Sequence, residues 1–168
     1  MHIRRLTPQD ASPFRALRLS ALQEEPTAFG SSHEEEVVFP PETTAARLAV
    51  HPDQGAFGAF EGDRLIGIVT LRREDKRKLR HKGMVYGLYV APEARSKGAG
   101  RGLLVEALAL AASVPELLQV NLSVNAGNVA AIALYESLGF QTFGREPAAL
   151  RINGVLHDEL HMFWRPAR

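Results

Sequence analysis

The sequence contains no cysteine, and this absence removes several kinds of chemistry at once. Disulfide bonds, thiolate metal sites and a cysteine nucleophile are all excluded. The sequence also lacks the run of about 18 apolar residues that a membrane-spanning helix requires. Its start, MHIRRLTPQD, has no apolar segment of the kind found in signal peptides. We therefore expect a cytoplasmic protein that has no membrane partner.

Neither sign of charge is in excess, since 20 Lys and Arg residues are balanced by 19 Asp and Glu residues. With 45% hydrophobic residues, this balance argues against a disordered chain and against general attraction to nucleic acid. No internal repeat or low-complexity segment is present. A length of 168 residues suits one domain with a substantial core, so a single domain over residues 1–168 is predicted.

The first third of the chain predicts one strand and two helices. HIRRL is typical of a short strand, and Ser12 before Pro13 predicts the start of a helix that extends to about Glu25. Residues 26–41 have weak periodicity and predict a long loop. A second short helix is expected over residues 42–50.

The middle of the chain predicts a hairpin followed by a strand, a helix and a further strand. GAFGAF and RLIGIVTLRR are apolar runs separated by a tight turn at Gly62 and Asp63. MVYGLYV predicts a strand, GLLVEALALAASV has apolar residues at helical spacing, and LLQVNLSVN alternates as a strand does. A strand, helix and strand in this order normally pair their strands in parallel, so a mixed sheet with helices against it is expected.

The last third predicts a helix and a hairpin. Asn128 is placed to cap a helix that extends through Leu138 and ends at Gly139. Asn153 and Gly154 lie between two strand-like runs, which is a strong hairpin signal. In the second run, Leu156, Leu160, Met162 and Trp164 share one face, and His157, Glu159 and His161 share the other.

The segment RSKGAGRGLL, residues 95–104, joins glycines to cations at the start of a predicted helix. Glycines let a ligand approach the backbone, and free N–H groups at a helix start attract anions. Arg95, Lys97 and Arg101 add full positive charge. The segment therefore suits a diphosphate, although a solvated glycine turn is the alternative reading.

Two other phosphate-binding patterns do not fit this segment. GxxxxGK[ST] has no match, and GxGxxG fails because position 103 is leucine. In a dinucleotide-binding fold the glycines directly follow the strand, whereas APEARSK separates Val90 from Gly98 here.

Two motifs in sequence order resemble the GNAT superfamily of N-acetyltransferases, which use acetyl-coenzyme A. The acyl-CoA loop of that superfamily, RxxGxG or RxxGxA, corresponds to Arg95, Gly98 and Gly100. Its second signature, NxxAxxLYExxGF, corresponds to Asn128, Ala131, Leu134, Tyr135, Glu136, Gly139 and Phe140. The resemblance is good from about Arg64 to Phe140.

The resemblance implies a fold and a cofactor site. The fold is an α/β (α+β) GNAT fold, with a mixed, mostly antiparallel sheet of six to seven strands, a splayed central parallel pair and helices on both faces. The cosubstrate is acetyl-CoA. By position, the pantetheine arm is lined by Leu88, Tyr89 and Val90. The pyrophosphate lies beside Arg95 of the loop motif and is held by the amides of Ser96, Lys97, Gly98, Ala99, Gly100, Arg101 and Gly102. Asn128 contacts the cofactor.

The resemblance also implies direct attack of an amine on the acetyl carbonyl. A backbone N–H of the strand before the loop, such as that of Val90, would stabilise the oxyanion. Tyr135 would act as general acid toward the departing sulfur. The alternative reading of Tyr135 is a packed helix tyrosine, and that of Asn128 is a helix cap alone.

The general base is not identified by the sequence. Many superfamily members carry a carboxylate on the strand before the loop, but residues 76–92 contain no Asp or Glu. His81, a water chain, or a carboxylate of HEEE at 33–36 are the candidates, and the HEEE run is also typical of a solvated acidic face.

Two other groups of residues have side chains that suit binding. Residues 72–82 contain seven Lys or Arg and predict a solvated hairpin end, with contact to nucleic acid as a less favoured alternative. His157, Glu159 and His161 have zinc-ligand chemistry, but alternate strand positions lie about 6.5–7 Å apart, which is wide for one ion. We therefore predict no metal.

The leading prediction is an acetyl-CoA-dependent N-acetyltransferase that acts on a primary amine. The chief rival is a non-catalytic acyl-CoA-binding module of the same fold. The identity of the amine is left open, and pairing of two copies through the C-terminal strands is permitted by the apolar face that ends at Trp164.

Overall fold

The computed structural model describes residues 1–167 as a seven-stranded sheet with helices packed on it. The strands are β1 (His2–Arg5), β2 (Gly55–Glu61), β3 (Arg64–Arg73), β4 (Lys82–Val90), β5 (Gln119–Asn125), β6 (Gln141–Ile152) and β7 (Val155–Trp164). The α-helices are α1 (Ala11–Glu24), α2 (His33–Glu36), α3 (Pro41–Arg47), α4 (Ala99–Ser113) and α5 (Val129–Ser137). Three single-turn 3-10 helices cover Pro8–Asp10, Pro26–Ala28 and Pro92–Ala94.

The sheet is mixed, with strand order β1-β2-β3-β4-β5-β7-β6. Every neighbouring pair is antiparallel except β4 and β5, which are parallel. One apolar cluster packs α4 and α5 on one face, around Leu103 and Leu104. A second cluster packs α1 on the other face, around Phe14 and Ile68. The predicted fold class is confirmed.

The parallel pair β4–β5 separates after three residues of pairing. The register extends from Lys82 opposite Gln119 to Met84 opposite Asn121, and no pairs follow. Both strands continue beyond that point, β4 to Val90 and β5 to Asn125. Their unpaired ends therefore form the two walls of a gap within the sheet.

An extra residue in β4 changes which side chains face each cluster. Tyr86 lies opposite Thr70 and Tyr89 opposite Ile68, so two β4 residues oppose the single residue Val69. Gly87 lies in this bulge with φ +67°, a conformation that favours glycine. Before the bulge Val85 packs with the α4 cluster; after it, Leu88 and Val90 do so, and Tyr89 belongs to the α1 cluster.

The start of α1 differs from the prediction by about two residues. The helix begins at Ala11, directly after the 3-10 turn, and Ser12 lies inside it. The Asp10 carboxylate accepts hydrogen bonds from the Thr7 amide at 2.9 Å and from Arg4 at 2.7 and 2.9 Å. Because these bonds hold the backbone at Asp10, the helix begins at the next residue, Ala11.

The segment predicted as a loop over residues 26–41 contains a 3-10 turn and the short helix α2. Ser32 and Glu35 close the start of α2: the Glu35 amide donates to the Ser32 hydroxyl and the Ser32 amide to the Glu35 carboxylate. A four-residue helix held by such a capping box leaves no periodic pattern. The next helix, predicted to residue 50, ends at Arg47.

Turn chemistry was predicted well. Gly62, Gly139 and Gly154 have φ of +58°, +91° and +80°, and Asn153 has φ +49° at the tip between β6 and β7. Asn128 caps α5, because its side-chain oxygen accepts a hydrogen bond from the Ala131 amide at 3.1 Å.

Candidate active site

Two cavities meet at the gap between β4 and β5. The larger, of about 810 Å³, lies against the loop before α4, and we call it the loop cavity. The smaller, of about 390 Å³, lies on the α1 side of the gap, and we call it the strand cavity. Both are lined by Ala28, Leu88, Asn125, Asn128 and Ala131, so a ligand in one cavity can reach the other.

The loop cavity presents backbone amides that lack partners. Ser96 and Gly98 have positive φ, +61° and +83°, and turn the chain sharply into α4. The amides of residues 99–101, in the first turn of that helix, have no carbonyl before them to bond. The helix dipole adds partial positive charge at this end, so the arrangement suits an anion such as a diphosphate.

The glycines of the loop differ in what they provide. A Cβ at Gly100 would lie in ordinary contact, 3.4 Å from Leu134 Cδ2 and 3.8 Å from Val90 Cγ2, so only a larger side chain would fill the cleft between them. At Gly102 a Cβ would collide with Ile3 Cδ1, and the Gly102 amide already donates to the Gly98 carbonyl at 2.9 Å. Gly102 therefore packs α4 against β1, and the amide role predicted for it is contradicted.

Each cation of the loop also contacts the protein. Arg95 donates from Nε to the Val90 carbonyl at 3.0 Å and pairs with Glu25 at 3.1 Å. Arg101 donates to the Ser137 hydroxyl at 2.8 Å, and Lys97 lies 3.4 Å from Glu61. Arg95 and Arg101 line the loop cavity, whereas Lys97 is turned toward β2.

The end of β4 directs backbone groups into the gap. Ala91 donates to the Ile66 carbonyl at 2.8 Å, which makes Gly67 and Val90 a non-hydrogen-bonded pair. The N–H and C=O of Val90 consequently point away from β3, toward the gap. Arg95 donates to the carbonyl, and the Val90 N–H is left as a donor on the side of the loop cavity.

The side chain of Tyr89 lies on the face opposite to those of its neighbours. Its ring packs in the α1 cluster, and its hydroxyl donates to Glu24 Oε2 at 2.5 Å. Burial and the bond to Glu24 raise the pKa of Tyr89 to about 12. Of the three residues predicted to line the pantetheine arm, Tyr89 can therefore contribute only its main chain.

Tyr135 is buried where α5 meets the strand cavity. Its ring packs edge-on against Phe140, with 5.8 Å between ring centres, and only 7% of the residue is exposed. Within residues 1–167 its hydroxyl has no hydrogen-bond partner. Burial raises the pKa of Tyr135 to about 12, so the phenol is a proton donor at every physiological pH.

The candidate bases His81 and the carboxylates of residues 34–36 do not line either cavity. His81 precedes β4 at the paired end of the gap, where its carbonyl accepts from Leu118 at 2.8 Å. Glu36 of the HEEE run is buried and bound by Arg18 at 2.7 Å and Arg47 at 3.3 Å. Burial alone would raise the pKa of Glu36, but the two arginines outweigh it and hold the pKa below its usual range.

Glu159 is a carboxylate in the strand cavity that the sequence singled out only as a metal ligand. It lies on β7 opposite Asn125 of β5 and Glu146 of β6. No group in residues 1–167 hydrogen-bonds its carboxylate. Burial and the charge of Glu146 raise the pKa of Glu159, and His161 opposes this. The alternation of polar residues along β7 was the signal that could have indicated it.

Beside Glu159, three side chains form a hydrogen-bonded row across β5, β7 and β6. Ser123 Oγ lies 2.9 Å from His161 Nδ1, and His161 Nε2 lies 2.8 Å from Glu146 Oε2. Both ring nitrogens of His161 are thus engaged. In the described part of the chain no group of three or more His, Asp or Glu residues is arranged to hold a metal ion.

The basic segment 72–82 contains both a buried arginine and exposed ones. Arg73 is buried and pairs with Asp53 at 2.9 Å and Glu116 at 2.7 Å. Arg72 pairs at the surface with Asp75 at 3.1 Å.

None of the helices described within residues 1–167 has the length and the apolar content of a membrane-spanning helix.

The fold and the joined cavities give the sheet a gap that can admit a long ligand. Residues 17–140 match the family model described as the acetyltransferase (GNAT) family. The chain belongs to this family, and the predicted resemblance is confirmed. A comparison with curated proteins finds no significant match.

Solved structures match over nearly the whole chain. A GNAT-family acetyltransferase from Streptococcus pneumoniae is 25% identical, with 98% of each chain covered and a TM-score of 0.86. A putative acetyltransferase from Salmonella typhimurium, solved with its cofactor acetyl-CoA, is 18% identical, with 99% and 94% covered and a TM-score of 0.81. A phosphinothricin acetyltransferase from Sinorhizobium meliloti, in complex with acetyl-CoA, is 20% identical, with 99% and 88% covered and a TM-score of 0.80.

Proposed function

We propose that this protein transfers the acetyl group of acetyl-CoA to a primary amine. The observation that carries this function is the meeting of two cavities at the β4–β5 gap, one with unpaired amides at its mouth and the other with Tyr135 in its wall. Family membership and the acetyl-CoA in two of the similar structures support the choice of cosubstrate.

The donor is held mainly by backbone groups. The amides of Ser96, Lys97, Gly98, Ala99, Gly100 and Arg101 face the diphosphate, with Arg95 and Arg101 beside it. Leu88 and Val90 contact the arm that leads into the gap. The Asn128 side-chain oxygen is committed to its cap, so its amide nitrogen is the group left for a ligand.

Acetyl-CoA supplies a thioester whose carbonyl carbon can be attacked by the amine in the gap. A carbon–nitrogen bond forms, the carbon–sulfur bond breaks, and the amine loses one proton. The Val90 N–H points into the gap and stabilises the negative charge on the carbonyl oxygen.

Tyr135 assists the departing sulfur through a hydrogen bond. Its pKa is about 12 and that of a free thiol is about 8.5, so full transfer to a finished thiolate costs about 5 kcal/mol. Donating a hydrogen bond while charge develops on sulfur avoids this cost. Solvent protonates the thiolate after release.

Glu159 receives the amine proton in this proposal. The β4 strand carries no carboxylate, Glu36 is held by two arginines, and His81 lies at the far end of the gap. Glu159 lines the strand cavity with a free carboxylate. Its raised pKa makes it a better proton acceptor than an ordinary glutamate.

The test is release of free thiol from acetyl-CoA across a panel of primary amines, with the acetylated product identified by mass. Amine-dependent release supports the transferase. The rival, a non-catalytic acyl-CoA-binding module, predicts tight binding of CoA by calorimetry without amine-dependent release. Absence of both binding and release would contradict either function.

Two further expectations belong to this proposal. The long edge hairpin of β6 and β7 exposes Phe143, Val155 and Leu156, each more than half exposed, which supports pairing of two copies there. Sedimentation analysis of the wild-type chain tests it, since a monomer at all concentrations would contradict the dimer. Use of acetyl-CoA supports a cytoplasmic location, which fluorescence microscopy of a tagged chain tests.

A further inference from the structure

Arg18 of α1 projects into the strand cavity with its guanidinium held rigidly. Its Nε and Nη2 donate to the two oxygens of Glu36 at 3.1 and 2.7 Å. The guanidinium carbon lies 4.6 Å from the ring centre of Phe29, so the plane is also fixed by an aromatic face. Only 11% of the side chain is exposed. A side chain held in this way has little conformational freedom left to lose when it binds a ligand.

The remaining nitrogen of Arg18, Nη1, has no partner within residues 1–167. It faces the bulge of β4, since a Cβ built on Gly87 would lie 3.4 Å from it. Gly87 directly precedes Leu88, which lines both cavities. The unused N–H donors of Arg18 therefore lie beside the place where the two ligands meet.

The charge of Arg18 is not cancelled by its partner. Glu36 is shared with Arg47, at 3.3 Å, so two arginines and one carboxylate leave a net charge of +1. Elsewhere in the wall of the strand cavity, Glu159 supplies a negative charge. The cavity thus has one cationic and one anionic group, in a volume of about 390 Å³ that suits a small molecule.

We propose that the acceptor is an amine that also carries a carboxylate, as an α-amino acid does, and that Arg18 Nη1 binds this carboxylate. This inference rests on the proposed acetyl transfer. The carboxylate is held at the bulge, and the amino group, a few bonds away, is directed toward the gap and Glu159. Arg18 is a substrate-binding residue in this arrangement.

Matched acceptors test the proposal. For each of several α-amino acids, kcat/KM is compared with that of its α-amide and of the amine that lacks the carboxyl group. We expect the acid to be preferred by about tenfold or more, because it alone gains a charge-assisted hydrogen bond. In Arg18→Gln the preference falls by about tenfold or more, mainly through KM for the acid, while the amide changes by no more than two- to threefold.

Arg47→Gln is the matched control, because it also removes one arginine from Glu36 but lines a different cavity. Its preference for the acid should fall by much less than in Arg18→Gln, because the Nη1 donors of Arg18 remain although the net charge of the group drops from +1 to zero. The preference is a ratio measured within one variant, so a general loss of stability cancels. Equal use of acids and amides by the wild-type chain, or equal losses for both in Arg18→Gln, would overturn the proposal and leave the acetyltransferase standing.

Calorimetry with CoA present gives a readout that does not need turnover. Binding of the amino acid but not of its amide, lost in Arg18→Gln, supports the carboxylate site. Equal binding of both, or binding of neither, overturns it. Absence of thiol release with every amine, by contrast, contradicts the proposed acetyl transfer itself.

Discussion

The two cavities that meet in the sheet differ in the kind of polar groups that they present, main-chain amides in one and side chains in the other. The loop cavity takes its anion-binding groups from one continuous stretch, residues 95–101, whose main-chain amides are the donors, while the rest of its wall comes from several elements. The strand cavity takes its polar groups from distant elements: Arg18 from α1, Tyr135 from α5 and Glu159 from β7. Of these three, only Tyr135 lies in a motif that the sequence made recognisable.

This difference shows why one half of a site can be read from sequence and the other cannot. A backbone cradle needs particular residues at fixed local spacing, because positive φ and close approach restrict the choice to glycine and a few others. A cavity lined by side chains needs only that certain groups converge in space. Its residues are set by the fold, and their spacing along the chain carries no signature.

The largest expected effect follows from filling the loop cavity. Gly100→Val places carbon atoms in the cleft between Val90 and Leu134 and blocks access to the amides. We expect the affinity for CoA to fall by roughly 100-fold or more, since two or more charge-assisted hydrogen bonds are lost. Titration calorimetry with CoA measures this.

Gly144→Val is the control for that substitution. It lies on the edge strand β6 with no atom within 4 Å of a Cβ, so CoA binding is expected to be unchanged. Wild-type affinity in Gly100→Val would show that the donor lies elsewhere and would remove the basis for comparing the two cavities.

The next largest effect is on turnover. Tyr135→Phe keeps the edge-on packing against Phe140 but removes the donor to sulfur, so kcat is expected to fall by about 100-fold. CoA affinity should change by no more than two- to threefold. Because the pKa of Tyr135 is about 12, we expect no loss of activity from its ionisation below about pH 10. Unchanged kcat in the variant would leave Tyr135 as a packing residue only.

A smaller effect is expected at the proton acceptor. Glu159→Gln should lower kcat/KM at pH 7 by about tenfold, because the amine proton then passes to water. In the wild-type chain kcat/KM falls with decreasing pH through the pKa of Glu159, which lies above the usual value for glutamate. This limb should disappear in the variant, and a pH profile of kcat/KM measures it.

The neighbouring Glu146 supplies the control for Glu159. Its charge helps to raise the pKa of Glu159, so Glu146→Gln should move the acid limb to lower pH and keep the rate at pH 7. An acid limb that is the same in all three proteins would assign it to the amine substrate and leave Glu159 without a role.

The last expected effect concerns stability rather than activity, away from both cavities. Hydrogen bonds from Arg4 lower the pKa of Asp10 from 3.8 to about 2, so the folded state favours the ionised form. The corresponding stabilisation is fully present above about pH 4 and is lost as the pH falls toward 2. Asp10→Asn should therefore lower the free energy of unfolding by about 2 kcal/mol at pH 7, as measured by urea titration.

Urea titrations of Asp75→Asn and Asp10→Asn at pH 7 and at pH 2 give the comparison. Asp75 pairs with Arg72 in solvent, and we expect less than about 0.5 kcal/mol there. A loss at Asp10 that is as small, or that persists unchanged at pH 2, would contradict the structural role of the Arg4 pair.

The sequence predicted the sheet, its parallel pair and the loop before α4, because alternation, helical spacing and glycine turns are local signals. It missed α2, which is held by one capping box, and it placed the start of α1 at Ser12, since the Arg4–Asp10 contact joins two elements. The sequence predicted that the Gly102 amide binds phosphate. In the structure this amide donates to a carbonyl within the helix, and the lack of a side chain at Gly102 allows the contact with Ile3.

The candidate base shows the same division between local and distant signals. Residues 76–92 showed that β4 lacks a carboxylate, but the proposed replacement, Glu159, lies on β7, about 70 residues later, and reaches the cavity through the register of β5 with β7. The polar face of β7 was visible in the sequence. Which cavity it would face depended on how far apart the parallel strands opened, and no local pattern records that distance.

The single extra residue in β4 has a consequence for how this chain tolerates insertions and deletions. If the bulge were flattened at the present length, strict alternation would turn Leu88 and Val90 toward α1 and direct the Tyr89 phenol toward the loop cavity. Removal of Gly87 would instead restore strict alternation with Val85, Leu88 and Val90 still on the α4 side. A strand shortened by this residue therefore keeps the faces of its side chains, whereas a strand of the present length depends on the bulge to keep them.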